Sequence, residues 1–466
     1  MKFHLLLLFK KTALGLLLFN LCFSTSFAQV IHQELPVGEI IDSVRCQTDP
    51  SLSYAAYLPS NYDSNKRWPI IYLFEPMARG KLPIELYADV ANRLGYILVC
   101  SNNSRNGSVA KNLDIFSALE NDTENRFSIN PNRIYTSGFS GGARFAQFLA
   151  NTQEQITGVI AVAGPKLESR TNGKQYLYYG IVGSRDMNYI EHHDFQNELD
   201  KNEIKNLLMT YLAPHRWAPA REYEIALEWL DVQHKLSSGN EITDQGLAQY
   251  LSKEIRRVDT LDGLSMIDKY QYLIGLRKSI ATFEYKVLDE KIEMYRNNKD
   301  LQKNISRRQR LFKKERQSYQ IISSALYQLK VSSYDTSLPL DSTSYPLSWW
   351  KQTIRDLQGK VKRADERGDI AARTLDVIRG QVFGVGLQTD AEDNIEYKLN
   401  LSRIQTMLYP HSVWVLWNQA VIFAQKKDEK SALGCLKKAN QINDVQLYSL
   451  KESQKELANQ FPYLFE

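Results

Sequence analysis

The segment Gly138-Phe139-Ser140-Gly141-Gly142 is where the chain is best equipped for chemistry. It closes the apolar run RIYTSGF (133–139) and opens the helical stretch ARFAQFLANT. A serine on a tight strand-to-helix turn is lifted clear of the sheet, with glycines where side chains would collide. The N–H of Gly141 is then placed to donate to a developing oxyanion. A serine hydroxyl is inert at neutral pH unless a base takes its proton and an acid orients that base. Asp186 suits the acid, because it follows the apolar run QYLYYGIVG (175–183) directly, in Gly183-Ser184-Arg185-Asp186. Asp194 and Glu191 are alternatives, each further into a polar segment. His215 suits the base: it sits in LAPHRWAPA, between the apolar run LLMTYL and the helical REYEIALEWL. His192 and His193 follow Asp186 too closely for another strand to intervene, and read as a chance metal-binding pair or a solvated helix face. His32 precedes the first strand, and His234 falls at the far end of the last helix of this part.

An oxyanion needs a second donor, expected from the loop Glu75-Pro76-Met77-Ala78-Arg79-Gly80. Pro76 has no N–H, so Met77 or Ala78 must supply it, and Met77 is preferred. Arg79 is open to two readings, a substrate contact or an ordinary ion pair. The polar run 101–107 follows the next strand, at a sheet edge of the kind that hosts ligands. There Asn103 and Arg105 are candidates for binding a polar or anionic part of a substrate. The alternative is a turn whose Asn side chains satisfy its own backbone. The chain carries no His-Glu-x-x-His, no zinc-spaced cysteine pair and no phosphate-cradling glycine loop followed by lysine. No metal or cofactor is therefore expected.

These residues need a scaffold that presents strand ends together. Between residues 37 and 235, short apolar runs at 53–58, 69–74, 96–101, 133–139, 158–164 and 175–183 alternate with helical stretches. Continuous apolar strands mean burial on both faces, so a mostly parallel sheet with helices on both sides is predicted. The two runs flanking the polar segment before Trp68 suggest an early antiparallel hairpin.

From 236 to 466 the pattern is all-α, with rare glycine and long amphipathic helices. The stretch beginning at Tyr285 reads as a solvated helical pair or one long helix, and 332–348 as a surface loop. Counting from Val413, residues Leu416, Ala420, Phe423, Ala432, Leu436 and Ala439 fall at packing positions of a helical hairpin of about 34 residues. The segment 413–446 thus resembles a tetratricopeptide repeat, and 371–408 is a candidate degenerate hairpin before it. A protein partner for these helices is one expectation.

Lys2, Lys10 and Lys11 precede an apolar run that ends in small residues at Ser26 and Ala28, the form of a signal peptide (1–28) cleaved after Ala28. Export to a periplasmic or extracellular space follows. Cys46, Cys100 and Cys435 would survive cleavage, an odd number, so no disulfide scaffold is expected. One bridge, Cys46–Cys100, is conceivable, and the plainer reading of Cys100 is a buried small side chain. The 43% hydrophobic and 24% charged content permits a packed core, and a net charge of +5 gives no argument for nucleic acid.

The stretches WPIIYLFEP, GYILVCSNNSRNG, NPNRIYTSGFSGGARFA, GSRDMNY and HRWAPAREYEIALEWL together resemble the bacterial esterase branch of the α/β-hydrolases. That branch includes polyhydroxybutyrate-depolymerase-like and phospholipase/carboxylesterase-like proteins. The resemblance covers residues 37–235 and implies Ser140, Asp186 and His215 as a catalytic triad acting on a small or polymeric ester. A peptidase or amidase of the same fold, or a binding protein without turnover, are the rival expectations. Because every candidate lies before residue 216, a chain ending near residue 235 is expected to retain the chemistry.

Overall fold

The computed structural model describes residues 35–166, 173–239, 242–260, 264–280, 283–334, 344–388 and 394–465. The expected signal peptide and the middle of the 332–348 segment lie outside these residues. Eight strands form one sheet: β1 Ile40–Arg45, β2 Ser53–Tyr57, β3 Trp68–Phe74, β4 Ile97–Ser101, β5 Ile129–Phe139, β6 Gly158–Val162, β7 Leu177–Gly183 and β8 Asn206–Tyr211. Their spatial order is β1-β2-β4-β3-β5-β6-β7-β8. From β4 to β8 every pairing is parallel, and β2 runs antiparallel to both β1 and β4.

The expected hairpin between 53–58 and 69–74 does not form. Helix α1 (Lys81–Leu94) carries the chain from β3 back to β4, which lies parallel to β3 and takes the position beside it. β2 therefore pairs with β4, and its hairpin partner is β1. That strand was not legible because IIDSVR is mostly exposed, as suits a charged sheet edge.

Alternating strand residues send side chains to opposite faces. One face, with Ile71, Leu73, Leu98 and Ile160, is covered by α1 and α5 (Ala220–Ser237). The other, with Ile70, Tyr72, Val99 and Val159, is covered by α2 (Val109–Arg126), α3 (Gly141–Thr152) and α4 (Tyr189–Lys201). Cys100 points to the first face and Cys46 to the second, so the sheet separates them and both thiols are free.

The helices that follow are α6 (Asp244–Thr260), α7 (Met266–Ser279), α8 (Lys286–Arg296), α9 (Lys299–Tyr334), α10 (Leu347–Val361), α11 (Glu366–Gln388), α12 (Ile395–Leu408), α13 (Val413–Gln425), α14 (Glu429–Ile442) and α15 (Asp444–Ser453). The change in composition at residue 236 is not a break in packing. Leu247 and Leu251 of α6, Leu273 and Leu276 of α7, and Leu288 of α8 continue the apolar cluster on the first face of the sheet. A separate cluster joins α9 to α12, through residues such as Leu329, Trp350, Ile378 and Ile404. α13 and α14 form a helical hairpin with Ala420, Ala432 and Ala439 fully buried where they touch.

Candidate active site

β5 ends at Phe139, and the chain turns at Ser140 into α3 with φ 54° and ψ −121°. For a non-glycine residue this is a sparsely populated conformation costing about 1–3 kcal/mol, so the surroundings must enforce it. They do so through backbone: Ser140 N–H donates to the Val162 carbonyl at 2.9 Å, and the Arg144 N–H donates to the Ser140 carbonyl at 3.2 Å. The flanking glycines are sterically required. A Cβ on Gly142 would stand 2.0 Å from the Phe74 carbonyl oxygen, and one on Gly138 2.4 Å from the Gly142 carbonyl carbon.

The acid and the base arrive on two loops stitched to one another. Beyond β7, Ser184 N–H donates to the Tyr211 carbonyl at 2.7 Å and Arg185 N–H to the Ala213 carbonyl at 3.0 Å. Tyr211 ends β8, and Ala213 leads into the segment carrying His215. Asp186 is fully buried, and its Oδ1 accepts from the Asn188 N–H at 2.8 Å. Its Oδ2 lies 2.9 Å from His215 Nδ1, while His215 Nε2 lies 3.0 Å from Ser140 Oγ. A carboxylate only accepts, so Nδ1 carries the proton and Nε2 is left to accept from the serine hydroxyl. The imidazole packs on Phe139, with ring centroids 4.6 Å apart, and Phe139 packs in turn on Trp217.

The alternatives are engaged elsewhere. Asp194 is an exposed partner of Arg316, and Glu191 is paired with Arg144. His192 and His193 are not a solvated face: both are buried, and burial holds both neutral, pushing His193 down to about 4. An Asp186→Asn change should leave the fold intact and cost orders of magnitude in turnover, since the ring loses its orienting acceptor. Asp194→Asn should be nearly silent. Turnover of both variants on one ester checks this, and a crippled Asp194→Asn beside a mild Asp186→Asn would reverse the assignment of the acid.

Two groups of expected site residues need correction. Met77 N–H does not face the serine, because it donates at 2.8 Å to Oε2 of Glu75, a side chain with no exposure. Ala78 N–H is likewise committed, to the Glu75 carbonyl at 3.1 Å. Arg79 is the ion-pair partner of Glu75. Asn103 is also occupied: its Oδ1 accepts from the Ser53 N–H at 2.8 Å, so it fastens the 101–107 turn to β2 rather than facing a ligand. Arg105 is exposed, and its backbone bridges to Met77 beside the elbow.

Sequence reasoning missed α11, which lies against the acid loop. Arg373, almost wholly buried, donates from Nη1 to the Ser184 carbonyl at 2.5 Å and holds both Glu315 oxygens at 2.7 Å. Its guanidinium also lies over the Tyr189 ring. Arg185 pairs with Asp369 at 2.8 Å, and a Cβ on Gly380 would stand 3.3 Å from the Met187 sulfur. Asp376, one turn beyond Arg373, has its carboxyl raised above the usual range by burial, and Asp186 and His215 act on it through space. The available signal was spacing: Asp369, Arg373, Asp376 and Gly380 recur at helical intervals and share one face of α11.

No family model matches the chain, and no curated protein matches it. Solved structures do align with part of it. The fluorophosphonate-binding serine hydrolase F of Staphylococcus aureus, substrate bound, is 14% identical, with 38% of this chain and 92% of that one covered and a TM-score of 0.34. The S-formylglutathione hydrolase of Staphylococcus aureus is 13% identical, with 41% and 96% covered and a TM-score of 0.35. An esterase of Pyrobaculum calidifontis is 10% identical, with 44% and 87% covered and a TM-score of 0.34. Likeness at this level bears on neither substrate nor activity. The architecture itself, a mostly parallel eight-stranded sheet with helices on both faces and a large helical part following it, is of the α/β-hydrolase kind.

Proposed function

We propose that the chain is a serine hydrolase that cleaves a carboxylic ester through an acyl-enzyme on Ser140. The observation that carries this is the Ser140–His215–Asp186 relay, at 3.0 and 2.9 Å, built on a strained serine. As Oγ attacks the ester carbonyl, its proton passes to His215 Nε2, and the Asp186 carboxylate stabilises the imidazolium. The Gly141 N–H, at the start of α3, faces the oxygen that gains charge. Collapse of the tetrahedral adduct breaks the carbonyl-to-alkoxy bond, and Nε2–H protonates the departing alcohol. Water then attacks the acyl-enzyme with His215 again as base, releasing the acid and restoring Ser140. Export belongs to the same proposal and rests on the basic, apolar and small-residue order of residues 1–28.

A fluorophosphonate probe tests the reading, because it phosphonylates only a serine whose proton is taken by a neighbouring base. The mature chain should label at Ser140, and Ser140→Ala should not. An unlabelled wild-type chain would favour a binding protein and defeat the proposal.

A further inference from the structure

The oxyanion formed at Ser140 has one backbone donor in Gly141, and the Met77 and Ala78 N–H groups expected to supply another are committed elsewhere. Pro76 lacks an N–H. Met77 and Arg79 N–H groups both donate to Glu75 Oε2, at 2.8 and 3.1 Å, and Ala78 N–H donates to the Glu75 carbonyl. Glu75 is sealed from solvent and ion-paired with Arg79, which holds its carboxylate in this position.

What stands beside Gly141 instead is the carboxamide of Asn106. A Cβ on Gly141 would lie 1.9 Å from Asn106 Oδ1 and 3.2 Å from its Nδ2. The backbone beneath this side chain is fastened. Asn106 N–H donates to the Pro76 carbonyl at 2.9 Å, Arg105 bridges to Met77, and Asn112 Nδ2 donates to the Arg105 carbonyl at 2.9 Å. The carboxamide itself makes no hydrogen bond to any of the described residues. Its terminal torsion is soft, so a half-turn brings Nδ2 to the face now held by Oδ1. An anionic oxygen beside Gly141 repels Oδ1 and attracts Nδ2, which selects that rotamer as charge develops.

We propose that Asn106 is the second oxyanion donor, a side-chain donor replacing the backbone N–H that Glu75 has taken. This rests on the ester-hydrolase reading of Ser140 given above. A donor that acts only on the tetrahedral oxygen contributes to kcat rather than to KM.

The test uses the mature chain with Asn106→Ala and the near-isosteric Asn106→Asp, which keeps the shape and removes the N–H donors. Turnover of a p-nitrophenyl ester and inhibition by phenylboronic acid are measured, the boronate forming a tetrahedral anion on Ser140. Both variants should lose about 10²-fold in kcat, with KM changed by less than about threefold. Boronate affinity should fall in step with kcat. A kcat within about threefold of wild type in Asn106→Ala would overturn the donor and leave the ester-hydrolase reading intact. So would a kcat loss with boronate affinity unchanged, since that marks a positional role. A wild-type chain with neither turnover nor fluorophosphonate labelling defeats the underlying reading itself.

Discussion

Ser140→Ala should lower ester turnover by at least ~10³-fold while circular dichroism and unfolding midpoint stay near wild type. The substitution removes one oxygen and keeps the strained backbone, which bonds to Val162 and Arg144 hold without help from the hydroxyl. His215 and Asp186 remain bonded to each other in the variant, and the Gly141 donor is untouched. What is lost is the covalent route, and residual hydrolysis then reflects binding and oxyanion stabilisation alone. A Ser140→Ala chain that turns over the ester within tenfold of wild type would show that the nucleophile lies elsewhere.

Arg373→Ala should carry a large stability cost. Arg373 and Glu315 have almost no exposure and form a two-bond pair, with the Tyr319 hydroxyl also on Glu315. Removing one member of such a pair strands the other as a buried charge, typically costing 3–5 kcal/mol. The same change deprives the Ser184 carbonyl of its donor, two residues before Asp186. Both stability in urea and kcat should therefore fall. Arg373→Met with Glu315→Leu, which removes both charges, should recover most of the stability without restoring kcat fully. If Arg373→Ala unfolds at the wild-type urea midpoint, the pair contributes nothing to stability and α11 is held by its other contacts, Arg185–Asp369 among them.

This alters the expectation that a chain ending near residue 235 keeps the chemistry. Such a chain would expose the side of α5 and the sheet that Leu247, Leu251 and Leu273 cover, and it would lack Arg373.

The reach of the sequence follows from how local each signal is. Ser140, Asp186 and His215 each sit just past an apolar strand, and a parallel sheet gathers such strand ends at one edge. Their meeting within 3.0 Å needed no knowledge of the helical half. Met77 could not be judged the same way, because the direction of its N–H is decided by where the Glu75 carboxylate turns. Asn103 failed for a similar reason: its acceptor meets Ser53, fifty residues earlier, only after β2 has docked on β4. The supposed β2–β3 hairpin failed because a polar turn between two apolar runs says nothing of a third strand inserted between them. The polar residues of α11 could not be judged from the sequence, since charge alone does not distinguish an exposed arginine from a buried, paired one.

The joint between the sheet and the later helices has an inner and an outer layer that answer differently to ionic strength. Arg373 and Glu315 are shielded from solvent, and mobile ions reach such a pair poorly. Arg185–Asp369 is half-buried and Arg316–Asp194 is open to water, and contacts fade with rising salt in proportion to such exposure. Salt thus loosens the rim of this joint while its centre stays fastened. A brine-tolerant grip on the Ser184 carbonyl is the consequence, with the periphery left free to breathe.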